Sequence, residues 1–200
     1  MIRRKTVISL LLGGALLALP ALAQDEGDFH KSEASVQAFG SFLKSTNDQG
    51  VPQSATNTGG VLASYRFLFN RYNGVEVNYG YSLNTLNYGL SSGLRGVNTH
   101  NHETTAAYVI RYPWGRVTPF ALAGAGGLVF DPKDVPGAET QARAAFVYGG
   151  GADFSLSKRV FLRAGYRGLV YNSPNFDIPE LKADRLTHRA EPFGGLGFRF

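Results

Sequence analysis

The sequence predicts an all-β chain: an eight-stranded antiparallel up-and-down transmembrane β-barrel with short periplasmic turns and long extracellular loops. Three observations carry this expectation. The chain opens with an export signal, it contains eight stretches in which apolar residues alternate with polar or small ones, and the connections between them alternate between short and long.

Arg3, Arg4 and Lys5 precede an apolar run over 7–19, which ends at Pro20 and Ala21-Leu22-Ala23 before Gln24. A charged start, an apolar core too short to cross a bilayer, and small residues two apart define a signal peptide over 1–23, with Ala21 and Ala23 marking the cleavage site. The remaining 177 residues suit one domain, divided into a short N-terminal periplasmic segment at 24–33 and a barrel over 34–200. The formal charge of +5 includes three leader cations, so the mature chain sets 17 Lys and Arg against 15 Asp and Glu. That near-balance gives no case for a nucleic-acid partner. The absence of cysteine excludes a disulfide framework, a thiolate metal site and a cysteine nucleophile.

After the leader no apolar run is long enough for a helical span, and period-two alternation dominates. Strands are expected at 34–44, 59–70, 75–83, 102–112, 117–130, 142–154, 159–171 and 188–200. Each is close to or above the nine to eleven residues that a tilted strand needs to cross the hydrocarbon layer.

The short connections fall at Arg71-Tyr72-Asn73-Gly74, Pro113-Trp114-Gly115-Arg116 and Leu156-Ser157-Lys158. The long ones, at 45–58, 84–101, 131–141 and 172–187, are rich in Asn, Ser, Asp, Gly and Pro, which favour irregular backbone. Sorting turns to one end and loops to the other is the arrangement of a bacterial outer-membrane barrel.

Opposed residues of an antiparallel pair share a face, which allows the strands to be phased. With Tyr72-Asn73-Gly74 as a three-residue turn and Gly74 left-handed, Phe69 opposes Val77, Phe67 opposes Tyr79 and Tyr65 opposes Tyr81. The other face then pairs Asn70 with Glu76, Leu68 with Asn78 and Arg66 with Gly80. With Leu156-Ser157-Lys158 as the next turn, Phe154 opposes Val160 and Asp153 becomes a diagonal neighbour of Arg163. The alternation sends Phe146, Tyr148, Val160, Leu162, Tyr166, Val170, Leu196, Phe198 and Phe200 outward, and Arg143, Arg163, Arg167, Arg189, Glu191 and Arg199 inward. The Ala- and Gly-dominated strand at 117–130 phases less sharply, with Phe120, Leu122, Leu128 and Phe130 expected outward. An apolar outside and a charged inside imply lipid as the solvent, since an outward charge at mid-membrane costs on the order of 2–4 kcal/mol. The expected lumen charge network comprises Arg66, Glu76, Arg143, Asp153, Arg163, Arg167 and Glu191.

The signal peptide, the eight strands, Thr118-Pro119-Phe120 leading to Ala123-Gly124-Ala125-Gly126-Gly127, and the ending Phe193-Gly194-Gly195-Leu196-Gly197-Phe198-Arg199-Phe200 together resemble the OmpA/OmpX-type small outer-membrane barrels, including the opacity-like adhesins. The resemblance covers the chain from about residue 34. It implies that the last strand is read by the barrel-insertion machinery, a signal matched by Leu196, Phe198 and Phe200. Pro192 and Gly194 depart from it, where larger apolar residues are usual. It also implies an OmpA-like membrane domain without a peptidoglycan-binding domain.

The function expected from this reading is non-enzymatic, with an envelope-structural or surface-interaction role carried by extracellular loops. The expected partners are outer-membrane lipid, the insertion machinery and an unidentified extracellular ligand. Two other readings are a narrow passive pore, motivated by small inward residues such as Gly149, Gly151, Gly165, Gly195 and Gly197, and a lipid-A-modifying barrel enzyme. The enzyme reading lacks a constellation, because His188 and Glu191 fall on opposite faces by period two. His100, His102 and Glu103 form one metal-like cluster, read as a solvated loop end because a metal site needs three or four ligands. Neither glycine run completes a nucleotide-binding pattern. No catalytic residue, metal or cofactor is therefore assigned.

Overall fold

The computed structural model describes residues 29–43, 46–48, 51–55, 58–90, 93–132, 140–172 and 186–200. Ten strands form: β1 (Ser32–Leu43), β2 (Thr46–Asp48), β3 (Val51–Ala55), β4 (Thr58–Leu68), β5 (Asn73–Leu90), β6 (Gly93–Arg111), β7 (Val117–Pro132), β8 (Gln141–Ser155), β9 (Val160–Asn172) and β10 (Leu186–Arg199). Eight of them close into a ring of antiparallel pairs: β1 pairs with β4, β4 to β10 each pair with the next, and β10 pairs back with β1. Closure leaves no edge whose backbone groups would face lipid unpaired. The expected leader, most of the segment at 24–33, and the loop stretches 133–139 and 173–185 lie outside the described residues.

The eight expected strands are all present, but their upper ends differ from the sequence reading. The connection at 84–101, expected as an irregular loop, is instead a continuation of β5 and β6, paired from Asn73↔Ile110 to Leu90↔Gly93. In the connection at 45–58, β2 and β3 form a short hairpin whose β3 pairs with the top of β5 at Gln53↔Tyr88 and Ala55↔Leu86. Asn and Ser favour turns only in the absence of a pairing partner; here each extended segment has one, and ladder bonds outweigh local preference. At the other end β1 begins at Ser32, so Glu33 belongs to the barrel and not to the preceding segment.

The turns set registers different from those expected, by an even number of residues in the first and third hairpins. In the first, Tyr65 opposes Val77, Arg66 opposes Glu76 and Leu68 opposes Gly74. Asn70 Oδ1 accepts the N–H groups of Tyr72 (2.8 Å) and Asn73 (2.9 Å), so the Asn side chain makes the turn and Gly74 lies within β5 with no positive φ. In the third, Ser157 Oγ accepts the N–H groups of Arg159 (3.3 Å) and Val160 (3.0 Å), which moves the turn one residue on and sets Asp153 directly opposite Arg163. Even shifts preserve faces, so every residue placed outward or inward from these two hairpins keeps its side.

The second hairpin inverts the expected phase. Its turn is closed by reciprocal bonds between Trp114 and Val117, with Gly115 at φ 59°. Phe120, Leu122, Leu128 and Phe130 then point inward and are at most 6% exposed, while Ala121, Ala123 and Ala125 face outward. Both faces of this strand are apolar or small, so alternation could not choose between them. The lumen decides, because its β6–β9 side needs bulk. Val109, Val147, Leu169 and Tyr171 join Phe120, Leu122, Leu128 and Phe130 in the interior apolar cluster, which Phe39, Leu62 and Phe193 extend onto β1, β4 and β10.

On the outside, Val36, Val61, Val77, Ile110, Leu162 and Leu196 are 42–62% exposed to the surroundings of the barrel. Below them lie Phe69, Trp114, Leu156, Phe200 and the stacked pair Tyr72 and Tyr112. Above them lie Tyr79, Tyr81, His100 and His102 on β5 and β6, and Tyr148, Tyr166 and His188 on β8–β10. An apolar band between two aromatic girdles is the lipid-facing surface of an outer-membrane barrel. Among the described residues, outward strand positions hold no Lys, Arg or Glu, and Asp131 stands only at the loop end of β7.

Candidate functional site

The lumen is built in three tiers. In the lowest, nearest the turns, Arg66 on β4 opposes Glu76 on β5 and contacts it through Nε (2.9 Å) and Nη2 (2.6 Å). Asp153 on β8 opposes Arg163 on β9, which forks onto it with Nε at 2.7 Å and Nη2 at 3.0 Å. The two pairs are joined across the lumen by Arg66 to Asp153 (3.2 Å) and Arg163 to Glu76 (3.0 Å). Glu33 binds Arg111 (2.7 Å), Arg199 (3.0 Å) and Arg163 (3.2 Å). The ring of Phe120 lies under the guanidinium groups of Arg66 and Arg163, with centroid distances of 4.5 and 5.2 Å. This cation–π stacking is the reason an aromatic is favoured on that inward position.

The middle tier is neutral. Gln37 donates to Ser35 (2.7 Å) and Ser64 (3.1 Å), Ser64 donates to Asn78 (2.5 Å), and Asn78 donates to Thr105 (3.4 Å). In the upper tier Arg167 opposes Glu191 on β10 and pairs with it, and Glu103 on β6 receives both Arg167 and Arg189 from across the lumen. Arg189 also contacts Glu191 at 2.7 Å. Arg66, Arg167, Arg189 and Glu191 are each no more than 1% exposed. Buried charges of this kind are tolerated only when paired and hydrogen-bonded.

Of the residues expected in the lumen, Arg66, Glu76, Asp153 and Arg163 meet in the lower tier and Arg167 and Glu191 in the upper. Arg143 is on the inward face at the loop end of β8, where it donates to Gln141 at 3.3 Å. Glu33, Glu103, Arg111, Arg189 and Arg199 also take part, although the sequence-derived network omitted them. Period-two continuation from Gln37 through Ser35 would have reached Glu33; ending the strand at Ala34 concealed it. Glu103 does not join His100 and His102 in a cluster. It faces the lumen, whereas His100 and His102 face outward, their Nδ1 atoms hydrogen-bonded to Tyr81 (2.9 Å) and Tyr79 (2.8 Å). His188 likewise bonds Tyr148 at 2.8 Å, on the face opposite Glu191. Among the described residues no three His, Asp or Glu side chains gather as a metal site. Leu196, Phe198 and Phe200 lie outward on β10 and just beyond it, with Phe198 and Phe200 stacked.

A closed antiparallel sheet, lipid-facing outside and crossed inside by ion pairs, defines a transmembrane β-barrel of the bacterial outer membrane. Sequence comparison agrees with that class. The chain belongs to the outer membrane protein beta-barrel domain family, which matches residues 9–188. Among solved structures it is similar to the outer membrane protein OprG from Pseudomonas aeruginosa, with a TM-score of 0.61 and 13% identity over 88% of this chain and 99% of that one. Neisserial surface protein A is similar at a TM-score of 0.61 and 14% identity, covering 85% and 97% of the two chains. Ail, the attachment invasion locus protein of Yersinia pestis, aligns with a TM-score of 0.52 and 20% identity, covering 86% and 99%. No curated protein sequence matches the chain. At these identities the likeness is one of fold.

Proposed function

We propose that this protein is a non-enzymatic outer-membrane barrel that holds its extracellular loops on a rigid, plugged scaffold, in an envelope-structural or surface-interaction role. The observation that carries this reading is the ion-pair network spanning the lumen, in which Arg66, Arg163, Arg167 and Arg189 reach carboxylates on other strands while almost wholly buried. An eight-stranded barrel encloses only enough room for side chains, and here charged tiers below and above a polar one occupy it. The narrow-pore reading is correspondingly weakened. The purified protein is expected to give no unitary conductance in planar bilayers, and reproducible single-channel steps would overturn the plugged-scaffold reading. The enzyme reading gains no support from His188, which is bound to a tyrosine on the outer face while Glu191 is held by arginines inside.

The loops are the surfaces that face partners outside the cell under this reading. Export through a signal peptide cleaved after Ala23, and insertion guided by Leu196, Phe198 and Phe200, complete the proposal. Mass spectrometry of the protein purified from outer membranes is expected to show a chain beginning at Gln24. Replacing Phe198 and Phe200 by Ser is expected to lower the inserted fraction in vivo while leaving refolding into detergent measurable.

A further inference from the structure

Above the upper girdle the sheet no longer closes. β4 pairs with β5 as far as Gly60↔Ser82, and β3 takes its place beside β5 from Ala55↔Leu86 to Gln53↔Tyr88, with β2 beyond it. On the other side β7 pairs with β6 only as far as Thr99↔Pro132, whereas β5 and β6 stay paired to Leu90↔Gly93. The result is a sheet in the order β2-β3-β5-β6 that stands above the barrel with two edges among the described residues. One edge is β2, three residues long and ending in Asp48. The other is β6 over 93–98, which no described strand joins on the side away from β5.

The backbone groups that this edge offers follow from the bonds lower down. The Arg111 N–H donates to the Tyr72 carbonyl at 2.7 Å on the β5 side, and the Tyr112 N–H to the Pro119 carbonyl at 2.9 Å on the β7 side. Backbone groups alternate sides along a strand, and the β5–β6 ladder runs without interruption from Ile110 to Gly93. Leu94, Gly96 and Asn98 therefore turn their N–H and C=O groups to the open edge. Water-exposed edges are ordinarily blunted by brevity, charge or proline. β2 is short and contains Asp48, and β3 contains Pro52. The stretch 93–98, Gly-Leu-Arg-Gly-Val-Asn, has no proline and a single charge, Arg95.

A second copy in the same membrane does not fit this edge. Two barrels at one depth run β6 in the same direction with like residues level, whereas a parallel ladder offsets the strands by about one residue, ~3.3 Å. A strand free to run antiparallel to β6 comes from outside the cell. We propose that the edge at Leu94, Gly96 and Asn98 binds an extended, acidic segment of an extracellular protein, which adds as an antiparallel strand in line with β7. Main-chain bonds hold the segment, and the charge of Arg95 favours Asp or Glu within it. The proposal rests on the surface-interaction reading above and names the surface.

The probe is the synthetic peptide Glu-Val-Thr-Val-Thr-Val-Glu carrying a fluorophore, titrated with the mature protein in phosphatidylcholine nanodiscs and followed by anisotropy. Saturable binding is expected, and weaker binding of the counterpart with Lys at both ends. In G96P binding is expected to be roughly tenfold weaker, because one main-chain donor is gone, while G96A, which keeps the donor, binds as the unaltered protein does. Proline is tolerated where an edge strand turns its N–H to solvent, and the heat-dependent gel shift reports that each barrel is closed. No saturable binding by the unaltered protein, equal binding by G96P, or equal binding of the Lys counterpart would overturn the proposal. Dimers in nanodiscs that G96P abolishes would also overturn it, by making the edge an interface between copies. A barrel that neither conducts nor binds the peptide ends this proposal and leaves the plugged-scaffold reading standing.

Discussion

At the scale of the residue, the lumen shows how a charge is made acceptable inside a barrel. Arg163 makes contacts at 2.7–3.3 Å with Asp153, Glu76, Glu33 and Ser35, so its removal leaves three carboxylates short of a donor. Breaking a buried pair by deleting one partner costs on the order of 3–5 kcal/mol. Arg163→Met is therefore expected to lower the urea midpoint of the folded barrel in micelles by an amount of that order. The double variant with Asp153→Leu should lose less than the sum of the two single changes, because the pair acts as a unit. An unchanged midpoint for Arg163→Met would remove the network from any role in stability. Gly197 is a second residue whose identity the lumen dictates. A Cβ there would stand 2.1 Å from the ring of Phe161, which is itself fixed between the guanidinium groups of Arg163 and Arg199 at 5.0 and 4.5 Å. Gly197→Val should cost roughly 1–3 kcal/mol by overpacking, read as a lower thermal midpoint. From the sequence Gly197 is only a small inward residue compatible with a channel; the structure gives that space to an aromatic ring.

At the scale of the element, strand existence and face were legible and register was not. Alternation fixes the face of β4, β5, β8, β9 and β10, because each has one strongly apolar side. Register depends on how each turn closes, and Asn70 and Ser157 close theirs through side-chain acceptors that a count of residues between strands does not reveal. In β7 even the face was hidden, since Ala and Gly alternate with Phe and Leu that suit either lipid or an apolar lumen wall. The turn before β7 gives a prediction free of packing effects. Gly115 has φ 59° and no heavy atom near the position of an added Cβ, so Gly115→Ala perturbs backbone conformation alone. The expected cost is about 1–2 kcal/mol, the penalty for an L-residue in the left-handed region. Refolding followed by the heat-dependent gel shift would register it as a shorter-lived barrel in denaturant; no change at all would mean that this turn relaxes to another conformation.

At the scale of the whole molecule, the four outward connections are not alike, which divides the barrel into a part that must be kept and parts that can be exchanged. β7 and β8 pair without interruption from Val117↔Phe154 to Phe130↔Gln141, and β9 and β10 from Phe198↔Val160 to Leu186↔Asn172. Their registers are fixed below the connections they carry. Replacing residues 133–139, or residues 174–184, by an Asn-Gly turn is thus expected to leave a closed barrel, read by the heat-dependent gel shift. The β5–β6 hairpin is different, because its pairing runs on to Leu90↔Gly93 and its upper part supports β3. On its outer face Tyr79 and Tyr81 are hydrogen-bonded to His102 and His100. Cutting this hairpin back to a turn joining Leu83 to His100 removes the partner of β3 while keeping Tyr81, His100, His102 and Glu103. That variant is expected to lose stability by several times the change seen for the other two, in urea titrations read by tyrosine and tryptophan fluorescence. Equal tolerance of all three replacements would mean that the tall hairpin is a free appendage. Sensitivity confined to the β5–β6 variant would identify it as part of the scaffold on which the other loops are carried.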